Sequence, residues 1–232
     1  MEIRIGKIAG ILGLAWTVFV SGVGQLQAYP LDGYEKTGIP RLQAQRLMQE
    51  GAIEGKKRPP GELLPLDMVD LRLLARPELE LPPADPALTA ELKALLGEHA
   101  SRYGIALLDL SDINNPRYGE WNGNQKQNPG SVGKLLVALA LFQALADLYP
   151  DDIPAREKLL RETIVTADRF SVYDHHTVPF WDAEEQRYFR HPLKIGNQGS
   201  LYTYLDWMIS PSSNSAAGML QKQLILLAHF GK

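Results

Sequence analysis

A serine and a lysine three residues apart, Ser131 and Lys134, are the residues of this sequence best suited to chemistry. Residues at this spacing lie on one face of a helix start, about one turn from each other. An amine beside a hydroxyl can remove the hydroxyl proton and so activate the serine as a nucleophile. The free N–H groups of a helix start also suit a developing negative charge. The alternative is structural: Ser131 caps the helix and Lys134 extends its amine to solvent.

The helix that begins here is predicted to be buried, because the stretch KLLVALALFQALADL is apolar on almost every side. Burial disfavours the charged form of a lysine amine. Lys134 could therefore act as a proton acceptor for Ser131.

A second segment, LYTYLDWMISPSSNSAAGMLQKQL at 201–224, predicts an amphipathic helix, a break, and a helix start of small residues. Together with PGSVGK at 129–134, this order resembles the penicillin-recognising serine hydrolases, the class A β-lactamases and D,D-peptidases. Their signatures are S-x-x-K, S-D-N and K-T-G. Ser131 and Lys134 match the first motif, and Ser212 and Asn214 match the ends of the second. Ser213 stands where the class A motif has Asp, although other branches need only Ser-x-Asn.

The resemblance implies a role for each matched residue. Ser131 would attack a carbonyl carbon to form an acyl-enzyme, and its N–H would supply half of an oxyanion hole. Neutral Lys134 would take the serine proton, directly or through water, and Ser212 would pass a proton towards the leaving nitrogen. The Asn214 side chain would bind the substrate amide. We therefore expect Lys134 to be buried and in contact with both Ser131 and Ser212, since an unpaired buried ammonium is costly.

The resemblance covers residues 87–232 and implies an α/β (α+β) fold, a β-lactamase/transpeptidase-like helical cluster with an antiparallel sheet. PALTAELKALLGEHASRYG predicts a helix, GIALLDLSD a strand, and RYGEWNGN a second strand after a turn at 114–116. The implied substrate is a small molecule or a peptidoglycan peptide, and no cofactor is expected.

Relative to the family, the chain is expected to be truncated, because only 18 residues follow Asn214. The C-terminal strands and helices would be missing, including the strand that carries Lys-Thr/Ser-Gly. Lys36-Thr37-Gly38 precedes the other motifs among turn residues, and we interpret it as a chance tripeptide. We therefore expect the chain alone not to be a competent enzyme, with an open sheet edge and an exposed apolar face.

Residues 171–200 are rich in aromatic residues and histidine. Asp174, His175, His176 and His191 are conceivable metal ligands, but adjacent histidines do not share a face and no H-x-x-x-H spacing occurs. We predict no metal site. The alternatives are a rim of a substrate cleft with Phe180, Trp181 and Tyr188 as stacking surfaces, or a packed loop without function.

The composition and the N-terminus fit an exported protein. A net charge of −3 gives no indication of a nucleic-acid partner, and the absence of cysteine excludes disulfides. Positive charge, the apolar run Ile8–Gly24 and a cleavage site at Ala28 predict a signal peptide at 1–28. The same run, 8–24, could alternatively tether the chain to a membrane. Residues 29–86 are predicted to be a Pro-rich N-terminal segment or linker, although IPRLQAQRLMQEGAI within it reads as a short helix.

Two classes of function follow. The first is an exported, periplasmic or extracellular serine hydrolase acting on β-lactam or D-Ala-D-Ala-type amides. The second is an inactive exported binding protein or remnant on the same scaffold. An esterase of the same family is a third possibility, because the sequence does not separate β-lactam, peptide and ester substrates.

Overall fold

The computed structural model describes residues 33–59, 72–171 and 174–230. Within these ranges the chain forms seven α-helices and three two-stranded antiparallel sheets, so the predicted mixed α+β class is confirmed at this level. The helices are α1 (Gly33–Thr37), α2 (Pro40–Glu50), α3 (Pro86–Leu96), α4 (Lys134–Leu148), α5 (Ile153–Glu162), α6 (Leu201–Ile209) and α7 (Asn214–Phe230). The strands are β1 (Ile105–Asp109), β2 (Arg117–Trp121), β3 (Ile164–Thr166), β4 (Thr177–Asp182), β5 (Arg187–Pro192) and β6 (Gln198–Ser200).

Helix α3 and the strands β1 and β2 are present in the predicted order, and in the structure α3 packs on β2. Asp85 caps α3 by accepting hydrogen bonds from the backbone N–H groups of Ala87 and Leu88. Strand β2 then packs on the helix so closely that a Cβ at Gly119 would lie 2.7 Å from Leu88 Cγ. Glycine is therefore required at position 119 for this approach.

The main core lies between α4, α5, α6 and α7, and strands β3 and β4 contribute to it. Its largest members are wholly buried apolar side chains, namely Leu141, Leu145, Val178, Leu201, Tyr204, Met208, Met219 and Leu220. Helix α6 is buried along most of its length and packs against α7, which fixes the connection between these two helices.

Part of the Pro-rich segment 29–86 packs on this body. In α2, Leu42 and Ala44 are buried, and the helix contacts β4. Arg41 also forms a bidentate ion pair with Asp206 of α6, with Nε–Oδ2 and Nη2–Oδ1 distances of 2.5 and 2.6 Å. The predicted signal peptide, residues 1–28, lies outside the described residues.

The prediction that α4 is buried on all sides is wrong. Helices α6 and α7 cover one face, on which Leu141 and Leu145 are buried. The opposite face is apolar and exposed, with Leu136 at 70% exposure, and it also includes Leu135, Leu139 and Phe142. Val132, just before the helix, is exposed as well. By length and hydropathy alone, Gly130–Leu148 could also span a bilayer, a property that core helices share.

Residues 177–192, for which the sequence suggested a cleft rim or a loop, form the hairpin β4–β5. Trp207 of α6 donates a hydrogen bond to the Pro179 carbonyl, and Trp181 donates one to Gln43 of α2. The hairpin is therefore a structural bridge between α2 and α6. In the described residues the strands form three separate pairs rather than the single antiparallel sheet that the family resemblance implies.

Candidate active site

Ser131 and Lys134 meet at the start of α4, through a tight turn rather than a full α-helical turn. Residues Gly130–Gly133 form a 3₁₀ segment, and Lys134 is the first residue of α4. Residues three apart in a 3₁₀ segment lie directly above one another. Lys134 Nζ accordingly lies 3.0 Å from Ser131 Oγ.

The Lys134 amine also reaches the second motif, which is 78 residues further along the chain. Nζ lies 3.0 Å from Ser212 Oγ and 2.7 Å from the Ser212 carbonyl oxygen. Lys134 is only 8% exposed, so these three oxygen atoms replace the water that an amine would otherwise bind. The predicted burial of Lys134 and its contacts with both hydroxyls are present in the structure.

Ser212 lies in the short connection between α6 and α7. Its φ is +63°, a left-handed backbone conformation that non-glycine residues rarely adopt. The next residue, Ser213, donates its backbone N–H to the Trp207 carbonyl at the end of α6. The connection is thus held in one conformation that turns both the carbonyl and the hydroxyl of Ser212 towards Lys134.

Asn214 begins α7, and its side chain is exposed next to this cluster. Its Nδ2 lies 3.4 Å from Asp174 Oδ1, which is a long hydrogen bond. The four residues predicted from the two motifs are therefore brought together, with Ser131, Lys134 and Ser212 linked by hydrogen bonds. The roles assigned to them stay predictions.

Asp174 is a member of this cluster that the sequence analysis considered only as a metal ligand. Its carboxylate is 4% exposed. Oδ2 accepts hydrogen bonds from the Ser213 hydroxyl at 3.0 Å and from the backbone N–H groups of Asn214 and Ser215. Oδ1 accepts from the backbone N–H of His176 at 3.1 Å and lies 2.6 Å from His176 Nδ1.

These contacts determine the charge of Asp174. Burial alone raises the pKa of the carboxyl, but the hydrogen bonds from His176, Ser215 and Ser213 outweigh it and hold that pKa well below its usual range. The negative charge also lies at the amino end of α7, where the helix dipole favours an anion. Asp174 is thus an ionised residue at the base of the second motif.

The three adjacent residues Asp174, His175 and His176 place one possible ligand atom each within 4.8 Å of one another. Both carboxylate oxygens already accept several hydrogen bonds from the protein, as described above. The fourth metal-ligand candidate, His191, lies in β5 and stacks on Phe180 with ring centroids 4.1 Å apart. Asp174 and His176 thus form a hydrogen-bonded pair at the start of α7.

The aromatic residues proposed for a cleft rim lie elsewhere. Phe180 and Trp181 line a separate cavity of about 350 Å³, together with Ile39, Thr203 and Trp207. None of the motif residues belongs to its lining. Tyr188 lies at another surface depression, beside the end of α2. The cleft-rim hypothesis therefore has no support from the position of these three side chains.

Lys36 and Thr37 belong to α1, and Gly38 follows it with a φ of +68°. The tripeptide is therefore not on a strand, in agreement with its interpretation as a chance match. Gly38 lines the separate cavity rather than the Ser131 cluster.

Comparison with known proteins adds no assignment: no family model, no curated protein and no solved structure matches this chain. The functional interpretation therefore depends on the geometry of the described residues and on the motifs.

Proposed function

We propose that this protein is an exported serine hydrolase that acts through an acyl-enzyme on β-lactam or D-Ala-D-Ala-type amides, with Ser131 as the nucleophile. The observation that carries this proposal is that one amine, that of the buried Lys134, hydrogen-bonds the hydroxyls of both Ser131 and Ser212. A lysine used only to stabilise a helix would not need two serine hydroxyls from distant parts of the sequence.

The proposed fold is that of the penicillin-recognising hydrolases. Its support is the order of elements: helix α3, the hairpin β1–β2, the S-x-x-K turn before α4, and the S-x-N connection between α6 and α7. Export, by a signal peptide or with a membrane tether at 8–24, belongs to the same proposal.

The acylation step follows from the contacts. Ser131 Oγ attacks the substrate carbonyl carbon, and its proton passes to the neutral Lys134 amine. The new C–O bond forms as the carbonyl π electrons move to oxygen. When the C–N bond breaks, the proton passes from Lys134 through Ser212 Oγ to the leaving nitrogen. The two 3.0 Å hydrogen bonds of Lys134 form the path for this transfer.

Substrate positioning is assigned to Asn214. Its exposed amide lies at the first residue of α7, directly after Ser212 and Ser213, so it can bind a substrate amide while the carbonyl faces Ser131. Holding the reacting groups in this way contributes to the rate as much as their chemical nature does.

The test is covalent labelling of the full chain with a fluorescent penicillin and, separately, with a D-Ala-D-Ala peptide, followed by mass spectrometry of the labelled peptide. The event measured is acylation of Ser131 and not turnover, for which this chain alone is not expected to be competent. The expected result is a single acyl group on Ser131, absent in Ser131→Ala. Ser111→Ala, which changes an exposed serine in the β1–β2 turn, serves as the matched control and is expected to label normally.

Three outcomes would contradict the proposal: label on another serine, equal labelling of Ser131→Ala, or no labelling by either probe. Labelling of Ser131 by an activated ester alone would instead identify the esterase alternative.

A further inference from the structure

Asp174 is the buried charged group closest to the second motif that the proposed mechanism does not use. In the class A motif S-D-N, an aspartate stands between the serine and the asparagine. Here that position is Ser213, which is wholly buried. The Ser213 side chain brings a hydroxyl and no negative charge to this place.

Another part of the chain supplies the carboxylate that the S-x-N motif lacks here. Asp174 lies about forty residues before the motif, in the segment that precedes β4. Its Oδ2 accepts the hydroxyl of Ser213 itself and the backbone N–H groups of the next two residues, Asn214 and Ser215. Ser213 and Asp174 together therefore place a carboxylate directly behind the Ser212–Asn214 backbone.

This carboxylate fixes both functional groups of the motif. On one side, it anchors the backbone of Asn214, and its Oδ1 lies 3.4 Å from the Asn214 side-chain amide. On the other side, it restrains Ser213, whose neighbour Ser212 must keep a φ of +63° for its hydroxyl and carbonyl to reach Lys134. Such a backbone conformation persists only where the surrounding contacts hold it in place.

His176 completes the arrangement. Its backbone N–H and its Nδ1 both contact Asp174 Oδ1, so the carboxylate cannot rotate away from the motif without losing two hydrogen bonds. The His176 ring is in turn packed beside His175, with centroids 4.2 Å apart.

We propose that Asp174 is a positioning residue for acyl transfer at Ser131, supplying from a separate segment the carboxylate that the S-D-N motif carries within itself. This inference rests on the proposed function. Asp174 touches no reacting atom; it acts through Ser212 and Asn214.

The experiment measures the rate constant of Ser131 acylation in the full chain, with the fluorescent penicillin or D-Ala-D-Ala peptide that labels the native protein. Asp174→Asn keeps the shape of the side chain but presents an N–H₂ group to some of the surrounding donors. The acylation rate constant is expected to fall by about 10²-fold, the effect typical of a misplaced reacting group. Amide hydrogen exchange at Asn214 and Ser215 is expected to accelerate in the same variant.

A reciprocal exchange gives the sharper readout. The double variant Asp174→Ser with Ser213→Asp moves the carboxylate to the place where S-D-N has it, without changing the composition of the cluster. We expect it to recover most of the acylation rate lost in Asp174→Ser alone. The melting temperature of each variant is measured alongside the rate. A purely structural role predicts that rate and melting temperature fall and recover together, whereas a positioning role predicts a rate loss in variants that remain folded.

Asp206→Asn is the matched control, since Asp206 is also a buried carboxylate but is paired with Arg41 of α2 and makes none of the contacts of Asp174 with Ser213, Asn214 and Ser215. It is expected to lower the melting temperature without changing the acylation rate of the folded protein. Equal acylation rates in Asp174→Asn and the native chain would overturn the inference, as would a folded exchange variant that recovers nothing. If the exchange variant does not fold, the acylation rate of Asp174→Asn alone tests the inference. Failure of the native chain to label would instead overturn the proposed function, and this inference with it.

Discussion

Lys134 is both buried and placed to take part in the proposed reaction. Its amine contacts three oxygen atoms, two of them on Ser212 and one on Ser131. A structural lysine would need only its positive charge. A catalytic lysine must also be able to lose a proton, and this difference can be measured.

We therefore predict that Lys134→Arg lowers the acylation rate of Ser131 by about 10²- to 10⁴-fold, the usual contribution of a general base. Arginine keeps the charge and can still donate hydrogen bonds, but it does not release a proton near neutral pH. Lys134→Ala is expected to show the same loss of rate. Stopped-flow acylation measures the effect, and a rate in Lys134→Arg close to that of the native chain would argue against Lys134 as the base.

Asp174 links the site to the pH dependence of stability. Because the pKa of its carboxyl is lowered in the folded state, its contribution is present above the pKa of an unfolded aspartate, about 3.9. The contribution is lost as the pH falls from there towards the folded-state value. Urea unfolding between pH 7 and pH 2 should therefore show a shallower acid decline in Asp174→Asn than in the native chain. Parallel curves would show that folding does not lower the pKa of this carboxyl.

At the scale of the element, α2 is held by an ion pair to α6 and by packing against β4. Arg41→Ala would leave the buried Asp206 carboxylate without its ion-pair partner, and we expect it to lower the free energy of unfolding by about 3 kcal/mol. Arg46→Ala, on the same helix but paired with the exposed Glu35, is expected to cost less than about 1 kcal/mol. Chemical denaturation compares the two. Equal losses would mean that the Arg41 pair is no more important than a surface contact.

The elements differ in how far the sequence could predict them. Capping residues and apolar spacing suffice for α2, α3 and α6, and for the hairpin β1–β2. They do not suffice for α4, because an apolar composition does not say which neighbours cover each side. The hairpin β4–β5 was missed because its packing against α2 and α6 depends on contacts such as Trp181–Gln43, 138 residues apart.

In the site, too, local patterns could be predicted and contacts between distant residues could not. The motif residues could be predicted from their spacing, since S-x-x-K and S-x-N are local patterns. Asp174 could not be assigned to the motif, because its link to Ser213 spans 39 residues and has no local pattern. The only available signal was a mismatch, namely Ser213 in the place of an aspartate.

At the scale of the whole molecule, the exposed face of α4 is the feature with the greatest effect on behaviour in solution. Adjacent apolar side chains on one helix face favour self-association. We predict that Leu136→Lys with Leu139→Glu reduces binding of a hydrophobic dye and light scattering, with little loss of stability because both side chains are exposed. Leu141→Lys, on the covered face, is expected to unfold the protein. Undiminished dye binding in the double variant would show that the apolar surface that binds the dye is not this face of α4.

The left-handed backbone at Ser212 has a consequence for how this position can be altered. The backbone conformation alone would favour glycine here, since glycine adopts a positive φ without steric cost. Serine at position 212 therefore strains the backbone but supplies the hydroxyl that the proposed reaction needs. Selection for a relaxed backbone alone is expected to replace it. The free energy of unfolding of Ser212→Gly is expected to exceed that of Ser212→Ala by about 1 kcal/mol, although both variants lack the hydroxyl. Denaturant unfolding measures this difference. Both should be poor in acyl transfer, so thermal screening of random variants would drive position 212 away from the residue that the proposed reaction requires.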